Sequence, residues 1–258
     1  MLPLQDKIVV VTGASKGIGL AIARQFAGSG ANVAMLSRNA GGLKSALKSI
    51  SNDLTDSQRL SLLALPCDIR NRTELKKAVS ATKKRFGRID IWVNNAGVGA
   101  HKPLTETTER EYDAMLDTNV RAIFYSFKLL VPLFRKQKPA KDSCRGHIIN
   151  ISSGAARIGA ANLAVYAASK AAVNALSESV ANEVRQEGIK VSVLSPASTD
   201  TNLMRNLTAK KQGRALSPSK ATTKLTVDEV AEAVVFLATQ NGNAWTSMTD
   251  IRPLQVRS

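Results

Sequence analysis

Short runs rich in valine, isoleucine and leucine alternate along this chain with longer segments of helical period. That alternation restricts the fold more than any other feature. The runs at 7–11, 32–36, 60–65, 89–93, 147–151 and 190–194 are nearly continuous in apolar character, as strands covered on both faces should be. Between them the periodicity predicts helices over 17–27, 42–51, 74–86, 109–134 (broken around Asn119), 163–187 and 227–238. A β-α-β-α order of this kind implies an α/β fold with a parallel, doubly wound sheet and right-handed crossovers. The 258 residues suit one large domain or two small ones. No composition shift marks a boundary, so a single domain over 1–258 is expected.

The first strand ends in Thr12-Gly13-Ala14-Ser15-Lys16-Gly17-Ile18-Gly19, and a helix follows at once. Glycines at these places permit a tight turn and let a pyrophosphate approach the backbone. The helix N-terminus adds free N–H groups and the positive end of a dipole. Gly13, Ser15, Lys16, Gly17, Ile18 and Gly19 are therefore candidates to hold a nucleotide; a purely structural turn is the alternative. The second strand runs into Ser37-Arg38-Asn39, where an NAD site would usually carry Asp or Glu for the ribose hydroxyls. Arg38 has instead the guanidinium fork that pairs with a 2′-phosphate, and Lys16 could approach the same group. The missing acid and the two cations, beside Ser37, favour NADP(H), the alternative being two exposed surface charges.

Tyr166-Ala-Ala-Ser-Lys170 puts a phenol and an ammonium at i and i+4, on one helix face. A positive charge that close favours the phenolate and suits the pair to proton exchange. Ser153, thirteen residues upstream, offers a hydroxyl to a carbonyl oxygen; Ser152 competes for that role. Any helix can carry Tyr-x-x-x-Lys, and Lys170 alone could be a surface lysine. Taken together, Thr-Gly-x-x-x-Gly-Ile-Gly at 12–19, Asn94-Asn95-Ala96-Gly97, Asn119, Ser153 and Tyr166-x-x-x-Lys170 resemble the full motif set of the short-chain dehydrogenase/reductase family, in order and across essentially the whole chain.

The resemblance implies a Rossmann domain that interconverts a carbonyl and an alcohol. It gives Ser153 a hydrogen bond to the developing oxyanion, Tyr166 the proton, and Lys170 both the ribose hydroxyls and the tyrosine. Asn119 would order a water linking Lys170 to solvent, or cap or kink its helix. Asp68 would touch the adenine ring, with a helix or turn cap as the other possibility. Asn95, Ala96 and Gly97 would line the cofactor, and so would Pro196, Thr199 and Thr201. Ala197 departs from the family's usual Pro-Gly and restricts positive φ. The long helices over 109–134 and 163–187 would form the interface of a homodimer, often doubled to a homotetramer. Ala167, Ala168, Ala171, Ala172 and Ala175 would permit close approach there, although alanine also simply favours helix.

Composition removes other classes. The net charge of +16 raises nucleic acid as a partner, but no zinc-ligand spacing or nucleic-acid-binding module accompanies it, and none is expected. No apolar run approaches the roughly 20 residues of a membrane span. The start does not read as a signal peptide, and Cys67 and Cys144 are too few for a disulfide framework, so a cytoplasmic setting is the default. His101 and His147 match no catalytic position of the family, and no metal is expected.

The segment 198–226 is long and polar, and is expected to act as a substrate lid. It carries Arg205, Lys210, Lys211, Arg214, Lys220 and Lys224 against Asp200, which suits an anionic substrate or an acidic carrier protein, or only a solvated loop. The broad resemblance is to 3-oxoacyl-[acyl-carrier-protein] reductases and carbonyl reductases. Glu187 stands where carrier-protein reductases often have a base, and the tail at 249–255 lacks their Asn-Gly-Gly. Both features favour a reductase of small or acyl-type carbonyls. The complete set of Ser153, Tyr166 and Lys170 speaks against a third reading, a non-catalytic nucleotide-sensing or scaffold protein.

Overall fold

The computed structural model describes residues 3–55, 61–140, 144–200 and 224–254. Its strands are β1 Ile8–Thr12, β2 Asn32–Ser37, β3 Leu62–Pro66, β4 Ile91–Asn94, β5 Gly146–Ile151, β6 Ile189–Pro196 and β7 Met248–Ile251. All pair in parallel, in the order β3-β2-β1-β4-β5-β6-β7. Helices α1 Gly17–Gly28 and α2 Ala40–Ser51 cover one face. The opposite face carries α3 Arg72–Phe86. Next comes α4 Glu109–Leu116, which passes through a π-turn at Asp117–Arg121 into α5 Ala122–Lys136. With α6 Ala164–Val184, α5 completes the face that α3 begins, and α7 Val227–Thr239 packs with α1.

Alternation along each strand divides the core in two. Val9 and Val11 pack with Ile22, Phe26, Leu43 and Val230 on one side. Val10 packs with Trp92, Leu130, Phe134 and Val173 on the other. Because helices cover both faces, neither side of a central strand tolerates a polar residue without a partner, which explains the continuous apolar runs. Helix starts are set locally. Asn39 and Asn71 cap α2 and α3, and Thr108–Glu111 and Thr226–Glu229 form capping boxes at α4 and α7.

The chain leaves β1 for β2 and β3 on one side, then returns to place β4 on the other. This reversal opens a crevice at the carboxyl ends of β1 and β4. The break expected around Asn119 is the π-turn. One strand escaped the sequence reading. β7 is a four-residue edge strand, Met-Thr-Asp-Ile, which is only partly buried and so lacks an apolar run. β3 runs to Pro66, one residue past its expected end, while residue 60 lies outside the described residues. Of the expected lid, only 198–200 and 224–226 are described; Thr201 and the bases from Arg205 to Lys220 lie outside. The two described ends meet in a parallel bridge between Thr199 and Leu225. No helix among the described residues is long and apolar enough to cross a membrane.

Candidate active site

The glycine turn forms one wall of the crevice. Gly13 and Gly17 adopt φ of 68° and 57°, which an L side chain resists. A Cβ on Gly13 would stand 2.9 Å from Ala96 Cα, and one on Gly19 would stand 2.4 Å from both Asn95 Nδ2 and the Gly13 carbonyl oxygen. The turn is thus pressed against Asn95 and Ala96, and only glycine fits. Thr12, which the sequence reading passed over, ties the two loops together. Its hydroxyl accepts the N–H groups of Asn95 and Ala96, each at 3.0 Å, while Asn95 Nδ2 donates to the Thr12 carbonyl at 2.9 Å. Lys16, at the N-cap of α1, is exposed and makes no side-chain cap, and no acidic side chain occupies the first turn. The turn and helix start therefore have the shape and charge for a pyrophosphate.

Adenosine-end candidates cluster where β2 and β3 finish. Ser15 and Ser37 share a hydrogen bond of 3.0 Å, and Arg38 is exposed just beyond. Asp68 caps no helix, since Asn71 does that for α3. Its carboxylate is gripped by Arg70 through Nε at 3.0 and 3.1 Å and Nη2 at 2.6 Å. These bonds hold Asp68 below the usual carboxylate range, and the positive charge of Arg38 adds to the effect.

The chemical end is buried. Ser153 leads into a 3-10 turn at Gly154–Ala156, and its Oγ accepts the Ala155 N–H at 3.2 Å. The Ser153 hydroxyl lies close enough to Tyr166 to lower the phenol. Ser152 does not compete, because its hydroxyl donates inward to the Lys170 carbonyl at 3.3 Å. Lys170 Nζ donates to the Ile151 carbonyl at 2.8 Å and lies 5.9 Å from the centre of the Tyr166 ring. Burial pushes the lysine down to about 8. The tyrosine departs from the expected depression: its own burial raises the phenol, and the neighbouring Ser153 hydroxyl offsets part of that. The ammonium is directed at Ile151 rather than at the phenolic oxygen, so desolvation wins.

Asn119 is fully buried, and its side chain is fixed on every side. Oδ1 accepts the Val98 N–H, and Nδ2 donates to the Val98 carbonyl and to Ser169 Oγ, all at 2.9 Å. Ser169 in turn donates to the Tyr166 carbonyl at 2.7 Å. Ser169, absent from the expected site, thus links the π-turn to α6. Its only signal is its place on the buried face of that helix, between Tyr166 and Lys170. The amide of Asn119 braces the loop after β4, with both Nδ2 hydrogens spent on that loop and on Ser169.

Gly97 joins the two halves of the site. A Cβ there would lie 3.3 Å from Asn119 Oδ1 and 3.6 Å from Lys170 Nζ. Gly99 has the same relation to Tyr166, with a Cβ 3.0 Å from the ring. Pro196 is buried at the end of β6, and Thr199 Oγ1 donates to the Ala197 carbonyl at 3.0 Å. Ala197 does not have positive φ; its N–H donates to the Ile251 carbonyl at 2.9 Å, and alanine fits without strain. His147 is buried against Ser192, away from this set, and His101 is exposed. The described residues contain no cluster suited to a metal.

Residues 7–212 match the model of the short chain dehydrogenase family. The chain belongs to the short-chain dehydrogenase family. An uncharacterized oxidoreductase from Staphylococcus aureus is 32% identical over 254 residues, covering 98% of this chain and 100% of the relative. A metagenomic short-chain oxidoreductase solved with NADP is 31% identical, with a TM-score of 0.79 over 98% of this chain and all of that one. A 3-ketoacyl-(acyl-carrier-protein) reductase from Brucella melitensis, solved with NADH, is 30% identical, with a TM-score of 0.81 over 96% and 97% of the two chains. Family membership and fold agree with the motif reading, and the protein is an oxidoreductase of this family.

Proposed function

We propose that this short-chain dehydrogenase family member is an NADP(H)-dependent oxidoreductase that interconverts a carbonyl and an alcohol. One observation carries the reading: Tyr166 and Lys170, with Ser153 beside the tyrosine, pack against Gly97 and Gly99 of the loop after β4, whose Asn95 and Ala96 pack on the glycine turn. The cradle fits a dinucleotide, since glycine is required at 13 and 19 and the start of α1 is left open to an anion. Gly13, Ser15, Lys16, Gly17, Ile18 and Gly19 would hold the phosphates. Ser37 and Arg38 would meet a 2′-phosphate, and Asp68 the adenine. Asn95, Ala96, Gly97, Pro196, Thr199 and Thr201 would border the nicotinamide half. The NADP bound by the metagenomic relative supports this choice, as does the lack of an acid at the end of β2.

When bound, the cofactor supplies or receives the hydride. Ser153 donates a hydrogen bond to the carbonyl oxygen as charge grows there. Tyr166, already raised by burial, holds its proton until that oxygen can take it. Lys170 places a buried positive charge behind the tyrosine, and its value of about 8 keeps most of the ammonium charged at neutral pH. Asn119 fixes the loop that carries Gly97 and Gly99, and so sets the separation of Lys170 and Tyr166 from the cofactor wall. A relay of water through Asn119 would use its backbone or the second lone pair of Oδ1, since both Nδ2 hydrogens are spent.

A homodimer through α5 and α6 belongs to the same reading. Phe124 is 45% exposed, Ala168, Ala171 and Ala175 form an exposed stripe, and Asn174 Oδ1 is shut from solvent with no hydrogen-bond partner among the described residues. Doubling of the dimer to a tetramer is compatible with it.

The likeness to the Brucella melitensis reductase favours a second substrate reading, a 3-oxoacyl group on carrier protein. Against it, an acid stands at the end of that helix, with Glu187 paired to Arg135 through two bonds of 2.7 Å. NADPH oxidation by the purified protein should be followed with free ketones and aldehydes and with a carrier-protein-linked 3-oxoester, NADH serving as control. Turnover of free carbonyls with NADPH is expected. Turnover of the linked ester alone would install the second reading, and tight NADPH binding without any turnover would refute catalysis.

A further inference from the structure

The end of β3 presents two acids where the proposed 2′-phosphate would lie. Ser37 of β2 is in register with Pro66 of β3, and the Cys67 N–H donates to the Ser37 carbonyl at 3.0 Å. Arg38 and Asp68 therefore leave adjacent strands at the same level. Glu74 folds back from α3 so that its carboxylate accepts the Asp68 N–H at 2.8 Å. A carboxylate pair at this place would repel a dianionic phosphate. It would also offer Arg38 a competing partner, since the fork that recognises phosphate recognises carboxylate equally well.

Arg70 removes the competition. Its guanidinium faces the Asp68 carboxylate fork to fork, at 2.6 to 3.1 Å, and the Arg70 N–H donates to Asp68 Oδ1 at 3.0 Å as well. Both carboxylate oxygens are thereby engaged within a two-residue turn, with side chains 25% and 37% exposed for Asp68 and Arg70. We propose that Arg70 is a positioning residue for cofactor choice: it holds and neutralises Asp68 so that Arg38 remains directed to the 2′-phosphate. The inference rests on the NADP(H) reading above and adds to it a residue that does not itself touch the phosphate.

Calorimetric titration of the full chain with 2′,5′-ADP and with 5′-AMP isolates the adenosine end, and the ratio of the two affinities is the quantity to read. Arg70→Gln should lower that ratio about fivefold, the scale of one unneutralised surface charge near a dianion. Adding Asp68→Asn to Arg70→Gln should return the ratio to within about twofold of the parent, because the charge that Arg70 offsets is gone. Asp68→Asn alone should leave the ratio equal or higher, and this variant keeps the test decisive if Arg70→Gln folds poorly. An unchanged ratio in Arg70→Gln, a ratio that stays low in the double variant, or a lower ratio in Asp68→Asn overturns the role of Arg70 while the cofactor reading stands. A parent protein that binds 5′-AMP as tightly as 2′,5′-ADP refutes the cofactor reading itself, and the role of Arg70 with it.

Discussion

At one end of the crevice Tyr166 and Lys170 are 7% and 4% exposed, held by Ser169 and the Ile151 carbonyl. At the other end Arg38 and Lys16 stand in solvent, and the Asp68–Arg70 pair lies at the surface. Burial governs the first region: it shifts the lysine to about 8 and raises the phenol, so removing a group there disturbs the chemistry directly. Screening governs the second, where a single charge has modest weight and selectivity comes from several charges acting together. On the proposed reading, the fold separates reaction from cofactor choice along the carboxyl ends of the strands.

Tyr166→Phe should give the largest effect. Loss of the proton donor is expected to lower kcat by about 10³-fold, the usual range for a general acid, while NADPH affinity and Tm stay near the parent values. Near-parent turnover would erase the contrast between the two regions.

The next effect is in pH. Deprotonation of Lys170 should make kcat/KM for reduction fall as pH rises through about 8. Stability should move the opposite way. The folded chain binds this proton less tightly than the unfolded one, whose lysine titrates near its ordinary 10.5. Between about 8 and 10.5 the unfolded state therefore holds more protons, and the lysine's contribution to unfolding free energy rises with pH. Parent and Lys170→Met proteins compared by denaturant melts across that window isolate it; a difference that falls with pH would contradict the burial argument.

The smallest effect is expected at Arg38. Arg38→Ala should weaken NADPH about tenfold and NADH less than about twofold, in line with one exposed charge-assisted contact. Equal losses would mean that Arg38 supports the loop rather than reads a phosphate.

Much of this was legible in the sequence because its causes are local. A continuous apolar run makes a doubly covered strand, and Gly13 and Gly19 mark backbone that must make close approaches. Spacing also put Tyr166 and Lys170 one turn apart on α6, since four residues on a helix is a fixed distance, while Ser153 enters from the turn after β5. β7 was not legible, because an edge strand held by one neighbour needs no apolar pattern of its own. Ser169 was not legible either, because Asn119, the partner that links it to the π-turn, lies 50 residues away, and Thr12 was legible only as part of the glycine motif, since its hydroxyl meets a loop 83 and 84 residues on.

By itself, then, the sequence determined the layered fold, the glycine crevice and the set of chemical groups brought to it. The tertiary structure alone decided their electrostatic state. Whether a lysine lowers a neighbouring tyrosine, or burial raises it, depends on where the ammonium points and how much water the pair has lost. Here Lys170 points at Ile151, and Asp68 is claimed by Arg70. Residue spacing does not carry the first, because β5 and α6 meet only on folding, and it carries the second only once the turn after β3 has its shape.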